Sequence, residues 1–253
     1  YSATNPLFSS NLKSYWLMHK DSGGTAYDFQ GYVDLSINGS TIGQTGVLNT
    51  TAYDFDGGND YLNSGTDPYS ESDFSNGYSV AAWVNYDGLG DGSAGTVLSH
   101  EGVYKITDER GSAGSGDVSW EIYDGTGSYF TIYSGLSNNE WALLLGTLDS
   151  NGNMTFYVNG TQQDTYSSIN TPPLDNFNRE LVIGASYDKD RHFDGRLAGL
   201  WIWNRELSDS EQSTFYDVVT STSNLTTGTK SYSSIKKPNL QNLDYTLNGV
   251  TDI

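Results

Sequence analysis

The chain has no cysteine, few basic residues and no apolar run long enough to cross a membrane. Without cysteine there is neither a disulfide framework nor a thiolate metal site, so stability must come from burial, with a hard cation as the remaining inorganic aid. Lys and Arg number 12 against 31 Asp and Glu, a formal charge of -19, which opposes binding to nucleic acid or to an anionic membrane. The longest apolar stretches, residues 141–145 and 197–203, fall far short of the roughly 18 residues a spanning helix needs. His19, His100 and His192 are dispersed, without the His-x-His or His-Glu-x-x-His spacing that grips a transition metal, and read as polar surface or edge residues. The chain opens on Tyr1 with no charged-then-apolar leader, which reads as a processed or partial chain and fits a secreted or virion origin.

What is abundant is aromatic and turn-forming. Tyr (19), Trp (6) and Phe (9) suit pleated, half-buried surfaces, and 29 Gly supply turns. Short β-branched and aromatic runs recur between Gly, Asn, Asp and Ser clusters, the pattern of an antiparallel sandwich. Strands are expected at 78–86, 118–123, 129–133, 141–148, 154–158, 181–185 and 197–203. A hairpin joins 141–148 to 154–158 through Asp149-Ser150-Asn151-Gly152-Asn153, where Asn-Gly tolerates the positive φ of a tight turn. One helix is expected from Ser208, capped by Glu211 three residues on and carrying Phe215, Val218 and Val219 as an apolar stripe that plugs an edge or end of the sandwich. Residues 1–11 and 220–253 read as arms around one domain at 12–219, the longer arm slightly basic against an acidic body. Its apolar residues Leu240, Leu243, Tyr245, Leu247 and Val250 are candidates for contact with a neighbouring subunit by strand addition.

The strings SYWLMHKDSGGTAYDFQG from Ser14, AYDFDGGNDYLNSG from Ala52, SVAAWVNYDG from Ser79, NEWALLLGTLD from Asn139, MTFYVNGTQQ from Met154 and FDGRLAGLWIWNRELSDSEQSTFY from Phe193 stand in order along the chain. Together they resemble the laminin-G-like, concanavalin A-like jelly-roll family over about residues 12–217. The resemblance implies an all-β fold of two antiparallel sheets with one short C-terminal helix, secretion or surface display, frequent calcium binding, and recognition of glycans or proteins more often than catalysis. Family members often carry acidic residues in the strand after the Phe-Asp-Gly corner; here that strand reads Leu197-Ala198-Gly199-Leu200.

Calcium takes six to eight oxygen ligands, and two loops offer them: Asp28, Gly31 and Asp34 in the first, Asp54, Asp56, Asn59 and Asp60 in the second. The same residues also serve as solvated turns, and neither loop has EF-hand spacing. Sugar recognition needs aromatic rings beside hydrogen-bonding side chains, and Tyr104, Tyr123, Tyr129, Tyr133 and Tyr187 are candidates in or near loops. Core or cross-strand packing competes for each of them. Glycoside hydrolysis needs paired carboxylates across a cleft, yet Glu121 and Asp124 are expected on opposite faces, Asp108 and Glu109 diverge, and no Glu-x-Asp-x-x-Glu run occurs. GSAGSG at 111–116 is not a nucleophile elbow. Asn38, Asn49, Asn153, Asn159 and Asn224 begin Asn-x-Ser/Thr sequons. The reading is a non-enzymatic extracellular, cell-surface or virion protein that binds neighbouring subunits and glycans, with structural calcium; the alternative is a glycoside hydrolase or lyase, or its carbohydrate-binding module.

Overall fold

The computed structural model describes residues 11–19, 24–88, 94–108, 117–170 and 178–220. Asn224, the apolar residues of the 220–253 arm from Leu240 to Val250, and nearly all of the 1–11 arm lie outside them. The strands are β1 (Leu12–Trp16), β2 (Thr25–Ala26), β3 (Leu35–Asn38), β4 (Thr41–Thr45), β5 (Thr51–Asp56), β6 (Tyr61–Asn63), β7 (Tyr78–Tyr86), β8 (Gly95–His100), β9 (Tyr104–Asp108), β10 (Asp117–Tyr123), β11 (Ser128–Ser134), β12 (Trp141–Leu148), β13 (Met154–Val158), β14 (Thr161–Tyr166), β15 (Leu181–Ile183) and β16 (Asp194–Trp203). Helix α1 (Asp209–Thr220) follows. They form two eight-stranded antiparallel sheets, the first in the order β14-β13-β12-β7-β16-β5-β4 and the second β11-β10-β9-β8-β15-β6-β3-β2. Strand β16 is long enough to serve two partners along one edge: its start pairs with β5 and its end with β1.

Strands β7, β12 and β13 occupy the expected ranges. Their connecting turn is built as its residues dictate: Gly152 sits at φ 81°, and the Asp149 carboxylate accepts from the backbone N–H groups of Asn151 and Asn153, both at 2.8 Å. Period-two alternation then divides each strand of the first sheet. In β13, Phe156 and Val158 enter the core between the sheets, while Tyr157 joins a second apolar cluster on the outer face.

Between the sheets, the ring of Trp120 from the second lies flat against the backbone of Gly146 in the first. A Cβ on Gly146 would stand 2.3 Å from that ring, so only glycine admits the indole there. Burying Trp120 with Tyr78, Tyr104, Phe74 and Phe156 supplies several large, fully enclosed side chains, each contributing on the order of 2–3 kcal/mol by apolar area.

Helix α1 departs from the sequence expectation in position. Instead of plugging an edge or end, it lies over the outer face of the first sheet, with Phe215 edge-on to Trp201 and Trp203 at 5.2 Å each. The reason is that β7 and β16 carry apolar residues on both faces: Ala81, Trp83, Trp201 and Trp203 point away from the inter-sheet core and need cover. The cap is as expected, the Glu211 carboxylate accepting from the Ser208 N–H at 3.0 Å.

At one side of the sandwich β11 and β14, the end strands of the two sheets, meet. There the Asp164 carboxylate of β14 accepts the backbone N–H of Ile132 in β11 at 3.1 Å, satisfying a donor that the sheet leaves unpaired.

Candidate functional site

The outward positions of β9 and β10 are polar, while β11 adds Phe130 and Ile132 to the same face. Register places Lys105 of β9 opposite Glu121 of β10, and Glu121 opposite Phe130 of β11, so these three share the outer face. Tyr123 and Ser128 form the next such pair. With the β8–β9 turn and Arg179, which precedes β15, they enclose an open cleft of about 310 Å³ lined by Glu101, Lys105, Glu121, Tyr123, Ser128 and Arg179.

The charged groups Lys105, Glu121 and Arg179 are held in place. Lys105 Nζ and Glu121 Oε2 are 2.8 Å apart, with the Glu121 side chain only 8% exposed. The Arg179 guanidinium lies 4.5 Å above the ring of Tyr187, and Lys189 flanks the same ring at 5.3 Å. Lys189 is anchored to Glu180, whose other oxygen accepts from Asn63 Nδ2 at 2.6 Å. Burial pushes Glu180 up, but the hydrogen bonds from Lys189 and Asn63 outweigh it and hold the carboxyl below its ordinary value. The β10–β11 turn beneath Tyr123 is pinned by the buried Asp124, which accepts from Thr126 and Gly127 and from both the N–H and Nδ2 of Asn170. Those bonds overcome desolvation and hold Asp124 far below the usual carboxylate range.

Of the five candidate tyrosines, Tyr123 lines the cleft and Tyr187 carries its arginine. Tyr104 borders the cleft as well, but its ring belongs to the core: it lies within β9, 2% exposed, packed 5.2 Å from Tyr78 and 5.6 Å from Trp120, because its register turns it inward opposite Ile122. Burial pushes its phenol far above the ordinary value. Tyr129 and Tyr133 also face inward on β11, half-buried against the core. Two histidines are corrected: His100 is fully buried, 3.3 Å from Asp67 and packed against Tyr69 and Tyr104, and His192 is buried too. Asp124 is not on the face opposite Glu121 but in the turn beyond the strand.

The acidic loops use their carboxylates on the backbone. Asp28 is buried and accepts from Tyr15, Gln30, Tyr32 and Val33 N–H groups, leaving its oxygens committed, and Asp34 accepts from Asp28 N. Gly31 donates its N–H to the Asp28 carbonyl. In the second loop Asp54 pairs with Arg196 at 3.1 Å, Asp56 accepts from Gly58, and Asp60 accepts from Asp56 N. Asn59 is exposed and its N–H lies 3.4 Å from Asp56. Among the described residues no group of three or more His, Asp or Glu side chains converges in a way that could hold a metal ion.

The sequons fall on turns and strand ends. Asn153 and Asn159 are exposed, though Asn153 Nδ2 donates to Asp149 at 2.8 Å and Asn159 Oδ1 accepts from Leu143 N–H at 2.9 Å. Asn38 donates to Asn63 Oδ1, and Asn49 ends a short 3-10 turn.

Among the described residues, no helix is long and apolar enough to cross a membrane. No protein with a curated description matches the sequence. Among solved structures, the receptor binding domain of botulinum neurotoxin mosaic serotype C/D superposes with a TM-score of 0.62 at 15% identity, over 82% of this chain and 51% of that one. The botulinum neurotoxin serotype D binding domain gives 0.62 at 16%, over 82% and 52%. The type G receptor binding domain gives 0.56 at 16%, over 83% and 52%, so the chain spans about half the length of each of these structures. At such identity the likeness shows the fold, two packed antiparallel sheets. A family model described as the concanavalin A-like lectin/glucanases superfamily, in its laminin-G form, matches residues 56–211. With six family strings in order, two antiparallel sheets and that match, the chain belongs to the laminin-G-like branch of the concanavalin A-like lectin/glucanases superfamily.

Proposed function

We propose that the chain is a non-catalytic recognition module of an extracellular, cell-surface or virion protein, and that it holds a carbohydrate in the cleft on the outer face of the second sheet. The lining of that cleft carries the reading: Tyr123, Ser128 and charged groups of both signs, the mix that packs a sugar ring and exchanges hydrogen bonds with its hydroxyls. Membership of a lectin-containing superfamily supports it, as do neighbours that are receptor-binding domains. The ion pair of Glu121 with Lys105 supports the non-catalytic half, because a carboxylate fixed on a lysine is poorly suited to deliver a proton to a leaving oxygen.

The test is a broad glycan array, then titration calorimetry with the full chain and with Tyr123→Ala. Binding that the substitution weakens about tenfold is expected. An empty array, or equal affinity of the two proteins, overturns the reading, and release of new reducing or unsaturated ends from the bound glycan replaces it with a hydrolase or lyase.

A further inference from the structure

Among the described residues, five of the seven basic side chains are spent on the protein's own carboxylates. Lys13 pairs with Asp73, Lys105 with Glu121, Lys189 with Glu180, Arg196 with Asp54 and Asp87, and Arg205 with Glu211. Arg179 and the exposed Arg191 have no carboxylate within ion-pair distance among the described residues, and of the two it is Arg179 that lines the cleft, in contact with the face of Tyr187 at 4.5 Å. Arg179 is also half-buried at the wall of the cleft, next to the β8–β9 turn, where its stacking on Tyr187 limits the rotamers open to it.

We infer that the cleft selects an acidic sugar residue, with Arg179 as the fork for its acid group; this rests on the cleft being the glycan site. Three observations converge. A stacked guanidinium presents paired N–H donors in a plane that matches a carboxylate or a sulfate, so the entropy of ordering it is already spent. The cleft's other charges do not answer that need, because Lys105 is neutralised by Glu121 and Lys189 by Glu180. Glu101, the lining carboxylate without a basic partner among the described residues, sits 3.5 Å from the Ser99 hydroxyl and is an acceptor suited to sugar hydroxyls. An acid group beside a row of hydroxyls is the ligand pattern that Arg179 and Glu101 complement together; a bare phosphate or a dicarboxylate would satisfy the first and be repelled by the second. The overall charge of -19 does not forbid this, since at physiological ionic strength charges beyond about 8 Å are screened while the guanidinium acts in contact.

The experiment uses matched oligosaccharides that differ only in one residue, neutral, carboxylated or sulfated, measured by calorimetry against the full chain, Arg179→Gln, Arg179→Lys and Tyr123→Ala. The parent is expected to prefer an acidic form over the neutral one by roughly tenfold. In Arg179→Gln the ratio of acidic to neutral affinity should fall to about one, and Arg179→Lys should keep part of it, whereas Tyr123→Ala should lower all affinities alike and leave the ratio near the parent's. Comparison of the carboxylated and sulfated arms names the acid group. Equal affinity of the parent for neutral and acidic forms, or an acidic preference that survives Arg179→Gln, overturns the inference and leaves the cleft as the glycan site. Glycan binding untouched by Tyr123→Ala and Arg179→Gln alike removes the cleft itself.

Discussion

On the first sheet, β7, β12 and β16 turn Ala81, Trp83, Leu143, Leu145, Trp201 and Trp203 outward, and Leu207 and Phe215 close over them. On the second sheet the corresponding outward positions are Ser99, Lys105, Thr107, Ser119 and Glu121. Both sheets share one core, so inward positions cannot tell them apart; the outer faces do. A single helix can cover one apolar outer face, and the outer face of the other sheet is polar instead. Ser99, Thr107 and Ser119 are nonetheless buried there, and the opening for a ligand is the cleft at Lys105, Glu121, Tyr123 and Arg179.

The largest effect should separate the faces by stability. Phe215→Ala opens a hole beneath α1 against Trp201 and Trp203 and is expected to cost about 3–5 kcal/mol, whereas Tyr123→Ala on the open face should change stability by less than about 1 kcal/mol. Denaturant midpoints of the two variants check this; a Phe215→Ala loss as small as that of Tyr123→Ala would show that the helix is not what covers the first sheet.

A smaller effect lies in the clamp that seats the helix. Both terminal nitrogens of Arg205 reach the Glu211 carboxylate at 2.7 Å, and with the Ser208 N–H they draw its pKa from 4.5 down to about 2. Because the folded value is depressed, ionised Glu211 contributes fully above about pH 4.5, and that contribution is lost as pH falls toward about 2. The pair lies at the surface, partly exposed and screened by water, so its worth is about 1 kcal/mol or less. In Glu211→Gln the stability-versus-pH curve should flatten over that window; an unchanged acid limb would put the clamp's energy elsewhere.

Smallest of all should be the response to calcium. With the oxygens of Asp28 accepting four backbone N–H groups and Asp54 held by Arg196, EDTA is expected to move Tm by no more than about one degree. A fall of several degrees would mean that the Asp56 and Asp60 loop rearranges to take the ion, and would add a second functional region outside the cleft.

Legibility followed local signals. Strands β7, β12 and β13 were readable because β-branched and aromatic runs end on Asn-Gly turns with positive φ. Strands β8 and β9 were not, since buried Ser99, His100, Thr107 and Asp108 break the apolar alternation, and β14 reads Thr-Gln-Gln-Asp-Thr-Tyr, exposed along its whole length as an edge. Missing β9 left Tyr104 without a phase, so a core ring looked like a loop ring, and it hid Lys105 on the opposite face. Tyr123 was found because aromatic character is visible in one residue. Arg179 carries no such mark: its importance comes from Tyr187 and from the carboxylate it lacks, both matters of folding.

The Asp164 carboxylate that caps Ile132 also bears on what could be added to that edge. It reaches across from one sheet to the last strand of the other and occupies a backbone donor that an incoming strand would claim, so pairing at that point of β11 would first have to displace it.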